Sequence, residues 1–218
     1  MEKFNYGAFY LGDARKLIGA LENESVDLIL TDPPFGLETD EFDDPHVFFE
    51  IEDELYRVMK RDAWLVFFWS TKRLPRAFDL KRFEYAWQIV CQFIKVTGKC
   101  AFGDMKYQSV LVFKKGKPKL VMRSSDMLLA EELPNVAKPK NPQFKTTFAN
   151  AKLLSMFSRA GDMVLDPFAG FGSTPLVCEL FRRQWVAYEI DPQKFGGAVE
   201  LIRKTLEGKT HGKSFETK

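Results

Sequence analysis

The stretch Val26-Asp27-Leu28-Ile29-Leu30-Thr31-Asp32-Pro33-Pro34-Phe35 decides how the chain folds. Its first six residues form a near-continuous apolar run, the mark of a strand buried on both faces. The run stops at Asp32-Pro33-Pro34, where two prolines in succession continue neither a strand nor a helix. A strand covered on both faces needs helices on either side, which predicts an α/β fold with a largely parallel sheet. Ligands of such sheets gather at the carboxyl ends of the strands, and Asp32 to Phe35 stands at such an end.

Working outward, Phe48 to Lys60 has helical spacing, with Phe48, Ile51, Leu55, Val58 and Met59 on one side. Ala63 to Trp69 reads as the next buried strand, and its aromatic run Trp64, Phe67, Phe68, Trp69 as core. Tyr85 to Lys95 and Gln108 to Lys114 read as two more strands, which the loop-like Thr97 to Lys106 can join as an antiparallel pair. Gly116 to Asn150 has no clear period. A helix is predicted from Thr147 to Arg159, then a short strand Met163 to Leu165, a helix Ser173 to Arg183, a strand Trp185 to Ile190 and a helix to Leu206. The polar tail 208–218 is expected to fray.

Three groups of residues carry chemistry. Asp32 offers carboxylate oxygens, Pro33 a carbonyl acceptor and Phe35 a flat apolar face. An amine on an aromatic base is a weak nucleophile; acceptors on its N–H groups would hold it and favour lone-pair density on nitrogen. An aromatic ring can stack on a base turned out of a duplex. Alone, the motif fits a plain Asx-Pro turn as well. The second group is Asp166-Pro167-Phe168-Ala169-Gly170-Phe171-Gly172-Ser173-Thr174, between a strand and a helix. Its glycines let the backbone pass close to a ligand, and the helix N-terminus favours a carboxylate. It is not the dinucleotide fingerprint, because Pro175 stands where a third glycine would fall. A ligand with both an ammonium and a carboxylate suits it. The third is Glu189, 19 residues after Gly170, placed to accept from ribose hydroxyls.

On these motifs the chain resembles the DNA amino-methyltransferases (N6-adenine and N4-cytosine), in the permuted order sometimes called the beta class. There the D-P-P-(Y/F) motif comes first and the D-P-F-x-G-x-G-(S)-T loop late. The resemblance runs from about Tyr10 to Leu206. It includes Leu11-Gly12-Asp13-Ala14, the helix and strand from Glu52 to Trp69, Ser109 to Gly116, and Lys138-Pro139. It implies a Rossmann-like S-adenosylmethionine-dependent methyltransferase fold, a mostly parallel sheet with an antiparallel hairpin, in one domain over 1–218. Asp32, Pro33, Pro34 and Phe35 would form the catalytic pocket. Asp166, Phe168, Ala169, Gly170, Gly172 and Thr174 would hold the methionine part of the cofactor, and Glu189 its ribose. Asp13 would lie at the adenine edge and Lys138 at the outer rim; Asp13 reads equally as an N-cap for a helix at Ala14 to Leu21.

The implied reaction is methyl transfer from S-adenosylmethionine to N6 of adenine in DNA. Cytosine N4 is the nearest rival, although those enzymes more often carry Ser at the position of Asp32. RNA adenine and an inactive nucleic-acid-binding subunit are the others. Phe35 replaces the commoner Tyr. The target-recognition segment, about 116–137, is short for the family. A homodimer and a cognate restriction enzyme are partners the resemblance allows.

Charge is unevenly spread. Glu38 to Glu54 holds nine acidic residues and no Lys or Arg, while Lys95 to Arg123 holds eight basic residues and one acid, Asp104. A polyanion can bind along the second segment, and the run Lys114 to Lys119 falls where the family recognises its target. Phe42, Phe48 and Phe49 either line a base channel or anchor a loop. Cys91, Cys100 and Cys178 have neither metal-ligand nor redox spacing, and no metal site is expected. The longest apolar run, Ala63 to Trp69, is far too short for a membrane span, and no signal pattern opens the chain, so a cytoplasmic protein is expected.

Overall fold

The computed structural model describes residues 1–36, 42–93, 98–100, 102–130 and 147–210. Among the described residues eleven strands are arranged as one nine-stranded sheet and a small hairpin. The sheet's parallel part is β2 (Gly7–Leu11), β11 (Gln184–Glu189), β10 (Met163–Asp166), β3 (Val26–Thr31) and β4 (Met59–Trp69), in that order. β8 (Tyr107–Lys115) runs antiparallel to β4, β5 (Glu84–Phe93) antiparallel to β8, and β9 (Met127–Ala130) parallel to β5. β1 (Glu2–Lys3) closes the other side against β2. The hairpin is β6 (Gly98–Cys100) with β7 (Gly103–Met105).

Alternation along the strands feeds two cores. Leu28, Leu30, Val66, Phe68, Val110 and Val164 face one side, under α4 (Thr147–Phe157), α5 (Ser173–Leu180) and α6 (Pro192–Thr210). Ile29, Leu65, Phe67, Trp69, Leu111 and Leu165 face the other, under α1 (Ala14–Leu17), α2 (His46–Glu50) and α3 (Glu52–Val58). Continuous apolar strands are thus covered on both faces, as a parallel sheet requires.

Several boundaries differ from the sequence reading. The helix expected over Phe48 to Lys60 is two helices meeting at Ile51, and it ends at Val58 because Met59 turns extended (φ −68°, ψ 138°) to pair with Val26. β2 is only five residues long and opens on Gly7 and Ala8, both weak strand formers, so no local pattern marks it. Gly7 is needed there: a Cβ would come within 2.3 Å of Trp185. β9, in the stretch without period, is held by its pairing to β5. A 3-10 segment, Thr71–Asp79, follows β4. The stretch expected to loop between β5 and β8 carries β6 and β7.

Candidate active site

Strand order reverses between β10 and β3: the chain leaves β10 toward β11 on one side and β3 toward β4 on the other. The crevice at that switch point is where open α/β sheets bind ligands. Both sequence motifs end there. Thr31 Oγ1, last in β3, donates to Asp166 Oδ1, last in β10, at 2.6 Å. A cleft of about 410 Å³ opens above, lined by Asp32, Pro33, Pro34 and Phe35 from one strand end and by Pro167, Phe168 and Gly170 from the other. Glu189 and Ile190, at the end of β11, and Gly12 to Arg15, after β2, complete its far wall.

The carboxylates differ in setting. Asp32 is exposed to the cleft, and among the described residues its side chain has no hydrogen-bond partner. Protein crowds round it on the other sides, and this desolvation, with the charge of Asp166 second, pushes its carboxyl up to about 7. Water in the open cleft tempers that shift, so it is fullest when a ligand covers the site. Asp166 is 3% exposed; burial pushes it up to about 6, against the hydrogen bonds from Thr31, Phe168 N–H and Thr174. Glu189 is also raised by burial. Its Oε2 accepts from Gly170 N–H at 2.7 Å and its Oε1 from Asp191 N–H at 2.8 Å, which leaves each oxygen a lone pair.

The two loop glycines do different work. Gly170 (φ +52°) has open space where a Cβ would stand, so a ligand can approach its backbone. Gly172 (φ +79°) would put a Cβ 3.0 Å from Ala198, so it allows α5 to close on α6. Asp166, Ala169, Gly172 and Thr174 lie buried behind the cleft wall, whereas Phe168, Gly170, Glu189 and Asp13 are on it. Asp13 is the N-cap of α1, accepting from Arg15 N–H at 2.9 Å, and also stands on the cleft wall. The helix it caps ends at Leu17, and a 3-10 turn continues to Ala20. Arg15 also clasps its carboxylate at 2.7 Å, holding it below the usual range. Lys138 lies outside the described residues.

Sequence reading missed the residues that brace the elbow. Asp43 Oδ1 accepts from Phe35 N–H at 2.7 Å and Gly36 N–H at 2.9 Å. Arg73, in the segment after β4, donates to the Gly36 carbonyl at 2.8 Å. Gly36 (φ +67°) sits so tightly under the Pro45 ring that a Cβ would meet it at 2.6 Å. The Phe35 ring stands edge-on to buried Trp69, centroids 5.8 Å apart. Only the acidic character of this segment showed in the sequence, not that one carboxylate folds back on the motif. Phe42 lines the cleft, Phe48 is core, and Phe49 packs on Trp69.

The Lys114 to Lys119 run is remote from the elbow. Lys114 pairs with Trp64 and Ser109 with Trp69, so the run begins five residues, roughly 17 Å, from the cleft edge. Lys115 Nζ is spent on the carbonyls of Tyr56 and Met59, and Lys114 on Glu84. Cys91 and Cys178 are buried, their thiols raised by desolvation. Among the described residues no helix is long and apolar enough to cross a membrane.

Residues 131–200 match the family model N6_N4_Mtase, DNA methylase, and residues 6–93 match one described as RMKL-like, methyltransferase domain. The chain is 28% identical to YubD of Escherichia coli (strain K12) over 199 residues, covering 84% of each protein. It is 24% identical to the Type II methyltransferase M.HpaI of Haemophilus parainfluenzae, covering 92% of this chain and 74% of that one. Its fold is similar to that of M1.HpyAVI, solved as a complex with SAM, with a TM-score of 0.72 at 22% identity over 90% of this chain and 98% of that one. The family models and the curated relatives are methyltransferases, DNA methylases among them, and the solved structure shares the fold, so the chain is similar to DNA methyltransferases over most of its length.

Proposed function

We propose that this chain is an S-adenosylmethionine-dependent methyltransferase acting on the exocyclic amine of a DNA base, N6 of adenine. The observation that carries the reading is one cleft shared by the Asp32 elbow and the glycine loop with Glu189. The residues suit the cofactor. Its ammonium and ribose hydroxyls are donors, and the cleft presents the carboxylates of Asp32, Glu189 and Asp13. Its adenine ring is flat and apolar, and Ile190, 38% exposed, lines the same wall. The open space at Gly170 leaves room for the ligand beside the backbone.

When bound, S-adenosylmethionine supplies a methyl group on a sulfonium sulfur, which leaves as a neutral thioether. Asp32 accepts an N–H of the target amine, steers its lone pair toward the methyl and takes the proton the product sheds. Phe35, braced by Trp69, stacks on the base. Asp166 holds the strand ends in register and acts on the reaction through position; Glu189 holds the glycine loop and keeps a lone pair on each oxygen for the ribose hydroxyls. Asp32 in place of Ser favours adenine over cytosine.

The test is expression in cells without DNA methylation, followed by mass spectrometry of nucleosides from their DNA. N6-methyldeoxyadenosine from the wild type and none from Asp32→Ala is expected. N4-methyldeoxycytidine would transfer the reading to cytosine. Neither product, from a protein that binds S-adenosylmethionine by calorimetry, would overturn it in favour of RNA or an inactive binding subunit.

A further inference from the structure

The carboxyl edge of the sheet extends beyond the cleft. Trp69 pairs with Ser109 and Gln92 with Tyr107, so the start of β8 and the end of β5 share an edge with the Asp32 elbow. Next to that end stands the β6–β7 hairpin, and its connecting turn carries Phe102, 100% exposed. A phenylalanine wholly in water contributes no burial to the fold. Charge is divided about the elbow. On the hairpin's flank are Lys72 and Arg73, just after β4, and Lys106 with half-exposed Tyr107 at the start of β8. Lys72 and Lys106 are exposed and without an ion-pair partner among the described residues. The cleft itself is rimmed by Asp13, paired with Arg15, and by Asp43 and Asp44, while the hairpin carries one exposed acid, Asp104. A polyanion is drawn to Lys72 and Lys106 and repelled by the acidic rim.

We infer that a DNA duplex lies along the β4–β8–β5 flank, with phosphates at Lys72 and Lys106 and Phe102 entering the base stack as a wedge. From β3 to β5 is three strand spacings, roughly 14 Å, comparable with the width of a major groove. Turning a base out leaves a gap in the stack, and an apolar side chain inserted between base steps lowers the cost of opening it. The inference rests on the proposed function and adds to it the surface that receives the duplex.

The experiment measures methyl transfer to unmethylated plasmid DNA by the full chain and by Phe102→Ala and Phe102→Trp, with cofactor affinity by calorimetry. Phe102→Ala should lose about tenfold or more in kcat/KM, a fraction of the few kcal/mol that unstacking costs. Phe102→Trp should stay within about threefold, and cofactor affinity should be unchanged in both. Lys72→Glu with Lys106→Glu should weaken binding of a labelled duplex of arbitrary sequence and flatten its salt dependence by about 0.9 per lost phosphate contact. A wild type active on DNA with an equally active Phe102→Ala overturns the wedge and leaves the methyltransferase reading intact. Unchanged duplex binding by the charge reversals overturns the flank. A change in mass by light scattering in Phe102→Ala, with DNA activity kept, assigns the hairpin to self-association and overturns the wedge as well. A wild type that binds the cofactor and methylates no DNA sinks the underlying function.

Discussion

Thr31 Oγ1 donates to Asp166 Oδ1 at 2.6 Å, joining two residues 135 positions apart in the chain. One closes the strand that leads into the Asp32 elbow, and the other closes the strand that leads into the glycine loop. The bond is buried and has a carboxylate acceptor, so replacing Thr31 by Val should cost about 1.5–3 kcal/mol. Thr31→Ser should cost much less. Urea denaturation of both variants checks this, and equal stability of Thr31→Val and the wild type would refute it.

Asp32 should set the pH dependence. Its carboxyl, pushed up toward about 7 by the protein crowded round it and by Asp166, and less so where the open cleft admits water, must be ionised to accept the amine's N–H. Transfer should therefore fall as pH drops through about 7. Stability runs the other way: a carboxyl whose folded-state pKa lies above its unfolded value of 3.8 weakens the fold progressively as pH rises from about 4 to about 7. Asp32→Asn should melt higher than the wild type at pH 8 without ligand, and the gap should shrink toward pH 4. A gap independent of pH would place its cause elsewhere.

Asp43 braces the elbow through one oxygen that accepts two backbone N–H groups. Asn retains that acceptor and Ala does not. Asp43→Ala should lower kcat on DNA about tenfold or more, since small misplacements of reacting groups carry such losses. Asp43→Asn should recover most of it, with cofactor affinity little changed in either. Equal kcat for Ala and Asn would show that the hydrogen bonds are idle.

The glycine loop offers a contrast. Gly172→Ala forces both a left-handed φ and a contact with Ala198, and should cost about 1–3 kcal/mol of stability. Gly170→Ala meets no neighbour but adds a methyl at the cleft, so it should weaken S-adenosylmethionine binding more than Gly172→Ala does. Melting curves and calorimetry on both variants would separate these effects.

The residue string alone determined the strand that ends in Asp32-Pro33-Pro34-Phe35, the loop Asp166 to Thr174, and an acid 19 residues beyond Gly170. Those features are local: apolar runs, proline stops and glycine positions act within a few residues. The sequence also held the split in charge. It did not show that Asp43 turns back on the elbow, that Arg73 holds Gly36, or that Lys115 is spent on backbone carbonyls far from the cleft. β2 and β9 were equally hidden, since each is a strand chiefly because a neighbour offers a ladder. Strand order and register decide such matters. A shift of partner or of edge changes which side chains meet, and no local pattern of residues encodes a contact between strands that lie far apart in the chain.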